Sequence, residues 1–256
     1  MLCSQPLYAT EAPGLFDIEI VAHGEAAEDR SFAIRQGLYA VLERIIGADD
    51  IAKIPVVQQM LKSAEQYVKQ SHFTAMSAAG ETDIGLRRFR VEFDEDQIMD
   101  VLKDQQLVIW GETRPKTLVW LVVDSGEGKQ YYNAEALPEF ESVLNQLSKL
   151  KAVPLVFPIL DIEEQQKVSV NDVASISPDN LLAASVPYDV PAILAGQVVK
   201  QGECWLSDWQ FLFDAKIKRW SSSCLPLKPT ISAGIRGIFA AMSLYYGAKP
   251  EASSAK

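Results

Sequence analysis

The sequence is poor in the residues that metal and nucleophile chemistry draws on, with two histidines and three cysteines among 256 residues. His23 and His72 each lack a second His or Cys at ligand spacing, so neither a zinc cluster nor a helical metalloprotease pair can be assembled. No Gly-x-Ser-x-Gly elbow occurs, which removes the common serine-hydrolase signal. Positive charge is also short, with 24 Lys and Arg against 34 Asp and Glu and a net charge of −10. Binding to nucleic acid rests on clustered positive charge that releases phosphate counterions, so DNA, RNA and anionic membrane surfaces are not expected partners. Long apolar runs are missing as well. The best candidate, 231–248, is interrupted by Arg236 and falls short of the ~20 residues a bilayer requires, so the chain is not expected to be transmembrane. The run Asp124-Ser-Gly-Glu-Gly-Lys129 approaches a phosphate loop, but Val123 and Gln130 stand where Gly and Ser or Thr are needed, and it reads as a turn. No metal or cofactor is expected.

What is present is an ordinary globular composition, 48% hydrophobic and 23% charged, enough for one large or two small domains. Strand alternation over 15–21 is followed by a helix over 29–46 with Ile34, Leu38, Val41, Leu42 and Ile45 in phase and Gly47 as its stop. A second helix after Pro55, strands near 68–76 and 86–93, a loop over 77–83 and a short helix charged by Asp94-Glu95-Asp96 complete a β-α-α-β-β-α unit over 15–109. A linker loop is placed at 110–116. The unit over 117–248 then starts with a strand buried on both faces, 117–123, a helix over 138–150 and a second buried strand over 154–160, which implies a parallel crossover. Strands over 191–199, 203–213 and 216–223 follow, then a helix over 232–246, and the tail 249–256 is expected to be disordered. The fold class is α/β with α+β character: two βα units with mixed sheets. Trp205, Trp209, Phe211 and Phe213 fall on one strand face and read as core. Arg87-Arg88-Phe-Arg90 reads as paired with local carboxylates, and the acidic sets Glu92/Asp94/Asp96 and Asp161/Glu163/Glu164 as helix capping.

Residues 1–14 read as a signal-peptide remnant and spacer: Pro6-Leu7-Tyr8-Ala9 resembles a cleavage site, which would place the translation start inside the signal. The alternative is the plain terminus of a cytoplasmic protein. Cys204 and Cys224 face each other if the strands around Asp214 pair as a hairpin. They are either a disulfide, as an oxidising compartment would permit, or two separate thiols.

Leu42-Glu-Arg-Ile-Ile-Gly47, Tyr67-Val68, Trp110-Gly-Glu-Thr-Arg-Pro-Lys-Thr-Leu-Val-Trp-Leu121, Pro154-Leu-Val-Phe-Pro-Ile-Leu-Asp161, Val168-Ser-Val-Asn-Asp172 and Ala192-Ile-Leu-Ala-Gly196 together resemble the bacterial domain-of-unknown-function family 2066, over about 15–247. That resemblance implies a proteobacterial protein with an export signal and assigns no activity. The second half also resembles the amino-terminal domain of the Tol-system propeller protein and the curli-secretion lipoprotein, which bind proteins; this is fold analogy. The expectation is a non-enzymatic periplasmic or envelope-associated module that binds a protein partner through sheet edges or the Trp110–Pro115 loop. The alternative is a cytoplasmic α/β enzyme with a cleft between its halves. The candidate binding residues are Trp110, Glu112, Arg114 and Asp161.

Overall fold

The computed structural model describes residues 9–11, 14–48, 50–75, 87–103, 105–175 and 178–247. The expectations for 1–8, the 77–83 loop and the 249–256 tail lie outside the described residues. The fold is α/β, and the chain divides into two compact units, 12–112 with 242–256 and 1–11 with 113–241. Among the described residues no helix is long and apolar enough to cross a membrane.

Strand β1 (Ala9–Glu11) belongs to the second of these units. The 12–112 unit runs β2 (Asp17–Ala22), α1 (Ala27–Ile45), α2 (Pro55–Lys62), β3 (Val68–Ala75), β4 (Arg87–Phe93) and α3 (Glu95–Lys103), with β4 central in an antiparallel sheet ordered β2-β4-β3. This is the β-α-α-β-β-α order that the hydrophobic phasing implies. Ile18, Phe89, Val91 and Phe93 are buried on the face that α1 covers with Ile34, Leu38, Val41 and Ile45. Helix and sheet approach closely at Gly37, where a Cβ would meet Val91 at 3.0 Å and Ile18 at 3.2 Å. The helix stop differs from expectation. Gly47 keeps a negative φ and donates its N–H to Val108 O at 2.8 Å, while Ile46, extended, bridges Ile109, so strand-like pairing ends α1 rather than a left-handed glycine. Arg44, buried on α1, donates through Nη1 to the carbonyls of Gly14, Leu15 and Asp17 and anchors the turn into β2; burial lowers its pKa, and Asp17 opposes that shift.

The open face of this sheet is charged and internally paired. Arg90 pairs with Asp17, Arg88 with Glu19 at 3.1 Å and Lys69 with Glu92 at 2.6 Å, while Arg87 meets Glu25 at 2.9 Å. The basic run is thus spent on local carboxylates, as expected. Solvent screens such exposed pairs, so they keep the face hydrated more than they hold the fold.

In the 113–241 unit, β5 (Thr113–Pro115) pairs antiparallel with β1. A six-stranded mixed sheet is built from β6 (Thr117–Asp124), β7 (Lys129–Tyr131), β8 (Leu155–Val156), β9 (Ala192–Gln201), β10 (Cys204–Phe213) and β11 (Lys216–Leu225), in the order β11-β10-β9-β6-β7 with β8 also on β6. Helices α4 (Pro138–Lys151), α5 (Ile162–Lys167), α6 (Val170–Ala174), α7 (Pro178–Ser185) and α8 (Leu227–Tyr246) accompany it. β6 is buried on both faces and parallel to β8 and β9, so the β6-α4-β8 connection is the parallel crossover that the apolar run implies. One face carries Leu118, Trp120, Val122, Ile193, Ala195 and Leu212 beneath Val173 of α6 and Leu181 and Ala184 of α7. The other carries Trp205, edge-on to Phe140 of α4 at 5.2 Å, and Trp209 against Gly234 of α8. These indoles are core, 7% and 1% exposed, as the strand alternation implies. The glycine-rich run is a turn: Asp124 Oδ1 accepts from the N–H groups of Gly126 and Gly128, with both glycines at positive φ, so a phosphate would compete with that carboxylate.

Two expectations for this unit are corrected. Residues 154–160 are not a buried strand: only Leu155–Val156 pair, half-buried, because Pro158 cannot donate to a ladder and the chain then turns through Leu160 at φ 58°. The division between the two units falls inside the 110–116 segment, as the linker reading places it, but the segment is not all loop. Trp110, Arg114 and Pro115 are buried, and Thr113–Pro115 form a strand with Ala9–Glu11.

Candidate functional site

The four residues singled out from sequence take separate places. In the 12–112 unit, Trp110 is 1% exposed, donates its backbone N–H to Ile45 O at 2.8 Å and stacks on Tyr246 with centroids 6.5 Å apart. Buried and stacked inside the unit, the indole is a packing residue. Glu112 is exposed on the same unit, and its charge helps raise the pKa of Glu95 after burial has done most of it. In the 113–241 unit, Arg114 is fully buried with its guanidinium 5.8 Å from the Phe239 ring centroid, a cation–π arrangement. Asp161 is exposed and caps α5, accepting from Glu164 N at 2.8 Å. Arg114 is interior and Asp161 is at the surface, so a ligand docking from solvent at Asp161 does not meet Arg114. Asp94 likewise caps α3 through Gln97 N at 3.1 Å, the role read for it from sequence.

A different constellation forms beside Asp161. After β8 the chain passes through Phe157-Pro-Ile-Leu160 and enters α5, and this corner is pinned by side chains. Tyr188 Oη donates to Glu164 and accepts from Ile159 N at 2.7 Å. The other Glu164 oxygen accepts from Leu160 N at 2.7 Å, and Gln165 Nε2 donates to Leu160 O at 2.6 Å. Tyr131 of β7 donates to Val168 O and holds the far end of α5 to the sheet edge. Between this corner and α4 opens a groove of about 590 Å³, lined by Tyr131, Tyr132, Glu135, Glu141, Phe157 and Ile159 among others. Tyr132 packs on Phe157 with centroids 5.1 Å apart. The pinning projects apolar side chains outward: Ile159 is 79% exposed, Ile162 77% and Val186 74%, with Leu182 one helical turn before Val186. Exposed aliphatic groups mark a contact surface where they form one contiguous patch.

Burial, reinforced by Glu141, pushes the Tyr132 phenol up to about 12, and burial with the Glu164 hydrogen bond pushes Tyr188 up to about 12, both from an ordinary 10.0. The folded values lie above the unfolded ones, so the neutral phenols stabilise this corner fully below pH 10 and that contribution is lost as pH rises towards 12. Ultraviolet titration of the native chain should therefore show Tyr132 and Tyr188 ionising late, near pH 12, and Tyr188→Phe should reduce the late-ionising fraction.

Sequence reading missed this corner because it assigned Phe157, Ile159 and Leu160 to a buried strand. Pro158 inside that run was the available signal against a strand.

The fold defines this chain as an α/β protein, and comparison with known proteins adds one family match. A domain of unknown function, DUF8605, matches residues 9–111. This corrects the resemblance to family 2066, because the matching family is a different one. No curated protein matches the chain. The crystal structure of protein VC0702 from Vibrio cholerae is similar over 52% of this chain and 76% of that one, at 11% identity and a TM-score of 0.24, a likeness too slight to carry an argument.

Proposed function

We propose that this chain is a protein-binding module of an oxidising compartment such as the periplasm, and that its contact surface is the corner of the 113–241 unit formed by Ile159, Ile162, Leu182 and Val186. The observation that carries this reading is the exposure of those four aliphatic side chains, with the Ile159 backbone hydrogen-bonded to Tyr188 and Ile162 opening the helix that Asp161 caps. A preformed apolar surface binds without an ordering cost, which favours recognition of another protein. The compartment is supported by Cys204 and Cys224, which the fold joins as a disulfide with Cα atoms 5.3 Å apart. A photo-crosslinking amino acid at Ile162 in the full-length protein, expressed in its own cells, tests the surface. A discrete adduct is expected there and not at exposed Lys218 on β11, and it should disappear when Ile159→Asp is added. Equal labelling at both positions would sink the reading.

A further inference from the structure

The surface has a charge as well as an apolar character. Between residues 131 and 190 there are nine Asp and Glu against three Lys, a net −6 of the chain's −10. Of those lysines, Lys149 and Lys151 sit in the last turn of α4, and Lys167 ends α5 with Glu163 3.9 Å away. The groove shows the same bias at close range. Its walls include the carboxylates of Glu135 and Glu141 and, among the described residues, no basic side chain, beside the aromatic rings of Tyr131, Tyr132 and Phe157. Glu135 and Glu141 are exposed, so both carboxyl groups face solvent at the groove. By contrast, the β11 edge of the same sheet carries Lys216, Lys218 and Arg219, so the acidity belongs to this corner rather than to the whole unit.

Resting on the reading above, we propose that the occupant of this surface is a cationic, apolar segment of a partner protein: its aliphatic residues lie on Ile159, Ile162 and Val186, and one Lys or Arg side chain enters the groove between the aromatic rings and Glu135 and Glu141. The chemistry of each wall fits that side chain. The aliphatic stem of a Lys or Arg packs along Tyr132 and Phe157 while its charged head stays at the wet rim. The ring faces attract the cation, and the two carboxylates neutralise it. An acidic segment would instead meet Asp161, Glu163 and Glu164 on α5, and like charges juxtaposed across an interface are strongly unfavourable.

The test uses the purified full-length chain with two short fluorescent peptides, one alternating Leu and Lys and one alternating Leu and Glu. Fluorescence anisotropy should show saturable binding of the Lys peptide alone, weakened by added salt. Glu141→Lys and Glu135→Lys should each weaken it roughly tenfold, Ile159→Asp by a similar factor, and Glu28→Lys on α1 of the other unit less than about twofold. Equal weakening by Glu28→Lys would reduce the effect to net charge and overturn the proposal, as would equal binding of the Glu peptide. The two readings fail separately. A specific Ile162 crosslink with no preference for the Lys peptide keeps the protein-binding surface and overturns the cationic occupant, whereas no specific crosslink removes both.

Discussion

Gly196→Ala is expected to lower the melting temperature of the 113–241 unit by roughly 5–10 °C, corresponding to about 2–3 kcal/mol of overpacking in a unit of this size. Gly196 on β9 lies directly across from Trp209 on β10, and a Cβ there would stand 2.3 Å from Cζ3 and 2.4 Å from Cε3 of the indole. The ring has nowhere to retreat. Gly234 of α8 closes its other side, with a Cβ there 2.9 Å from Cε2, Cζ2 and Cη2, and Nε1 is tied to Ser207 Oγ at 2.7 Å. Trp209 is thus clamped between a strand glycine and a helix glycine, which is how α8 comes close enough to cover the sheet. Gly234→Ala makes the informative contrast. Its contacts are looser, and alanine recovers about 1 kcal/mol of helix propensity, so its cost should be clearly smaller. Calorimetry on the three proteins decides the matter: a Gly196→Ala variant melting with the parent would mean that the indole is not locked.

Why some of this was legible in the sequence and some not follows from what each signal reports. Periodicity reports burial on one face, and wherever burial decides the structure it read true. Ile34, Leu38, Val41, Leu42 and Ile45 of α1 are all essentially inaccessible, and Trp205 and Trp209 are core. Carboxylates before a helix also read true, because Asp94 and Asp161 satisfy backbone donors that exist whatever the surroundings. What failed were inferences that needed long-range partners. The 110–116 segment has the composition of a linker, yet Thr113–Pro115 gain a strand partner from residues 9–11, about a hundred positions away, and local composition carries no trace of that pairing. Gly47 looks like a helix stop, but the stop is a bridge from Ile46 to Ile109. The candidate residues also depend on placement that local sequence does not carry. Trp110, Glu112, Arg114 and Asp161 were chosen by residue type, and the structure uses Trp110 and Arg114 inside and Asp161 as a cap. The surface proposed instead is made of two isoleucines, a leucine and a valine, which look like core in one dimension. The hydrogen bonds by which Tyr188 fixes the backbone at Ile159 and holds Glu164 are long-range contacts with no local signal.

Thiol titration of the purified, denatured chain without reductant is expected to give one free thiol, and three after reduction, since the sequence has three cysteines and the fold joins two of them. The pairing follows from the hairpin register. β10 and β11 align Trp205 with Leu225, slip by one at a bulge, and continue with Ser207 opposite Ser222, which leaves Cys204 and Cys224 adjacent at the open end of the ladder. That end is where the hairpin would fray, and it leads directly into α8, whose Thr230 donates to Trp205 O at 3.3 Å, so opening it loosens the helix that covers the sheet. Closing a loop with a sequence separation of 20 is worth about 3 kcal/mol in the chain-entropy account. Cys204→Ser with Cys224→Ser, or reduction of the parent, should therefore lower the melting temperature of this unit by about 10 °C. The same titration bears on location. A reducing cytosol keeps thiols free, so protein taken from its own cells, with thiols trapped at lysis, shows Cys204 and Cys224 protected from labelling only if it resides in an oxidising compartment. Labelling of both would contradict the compartment while leaving the Ile159–Val186 surface to stand or fall on its own crosslinking result.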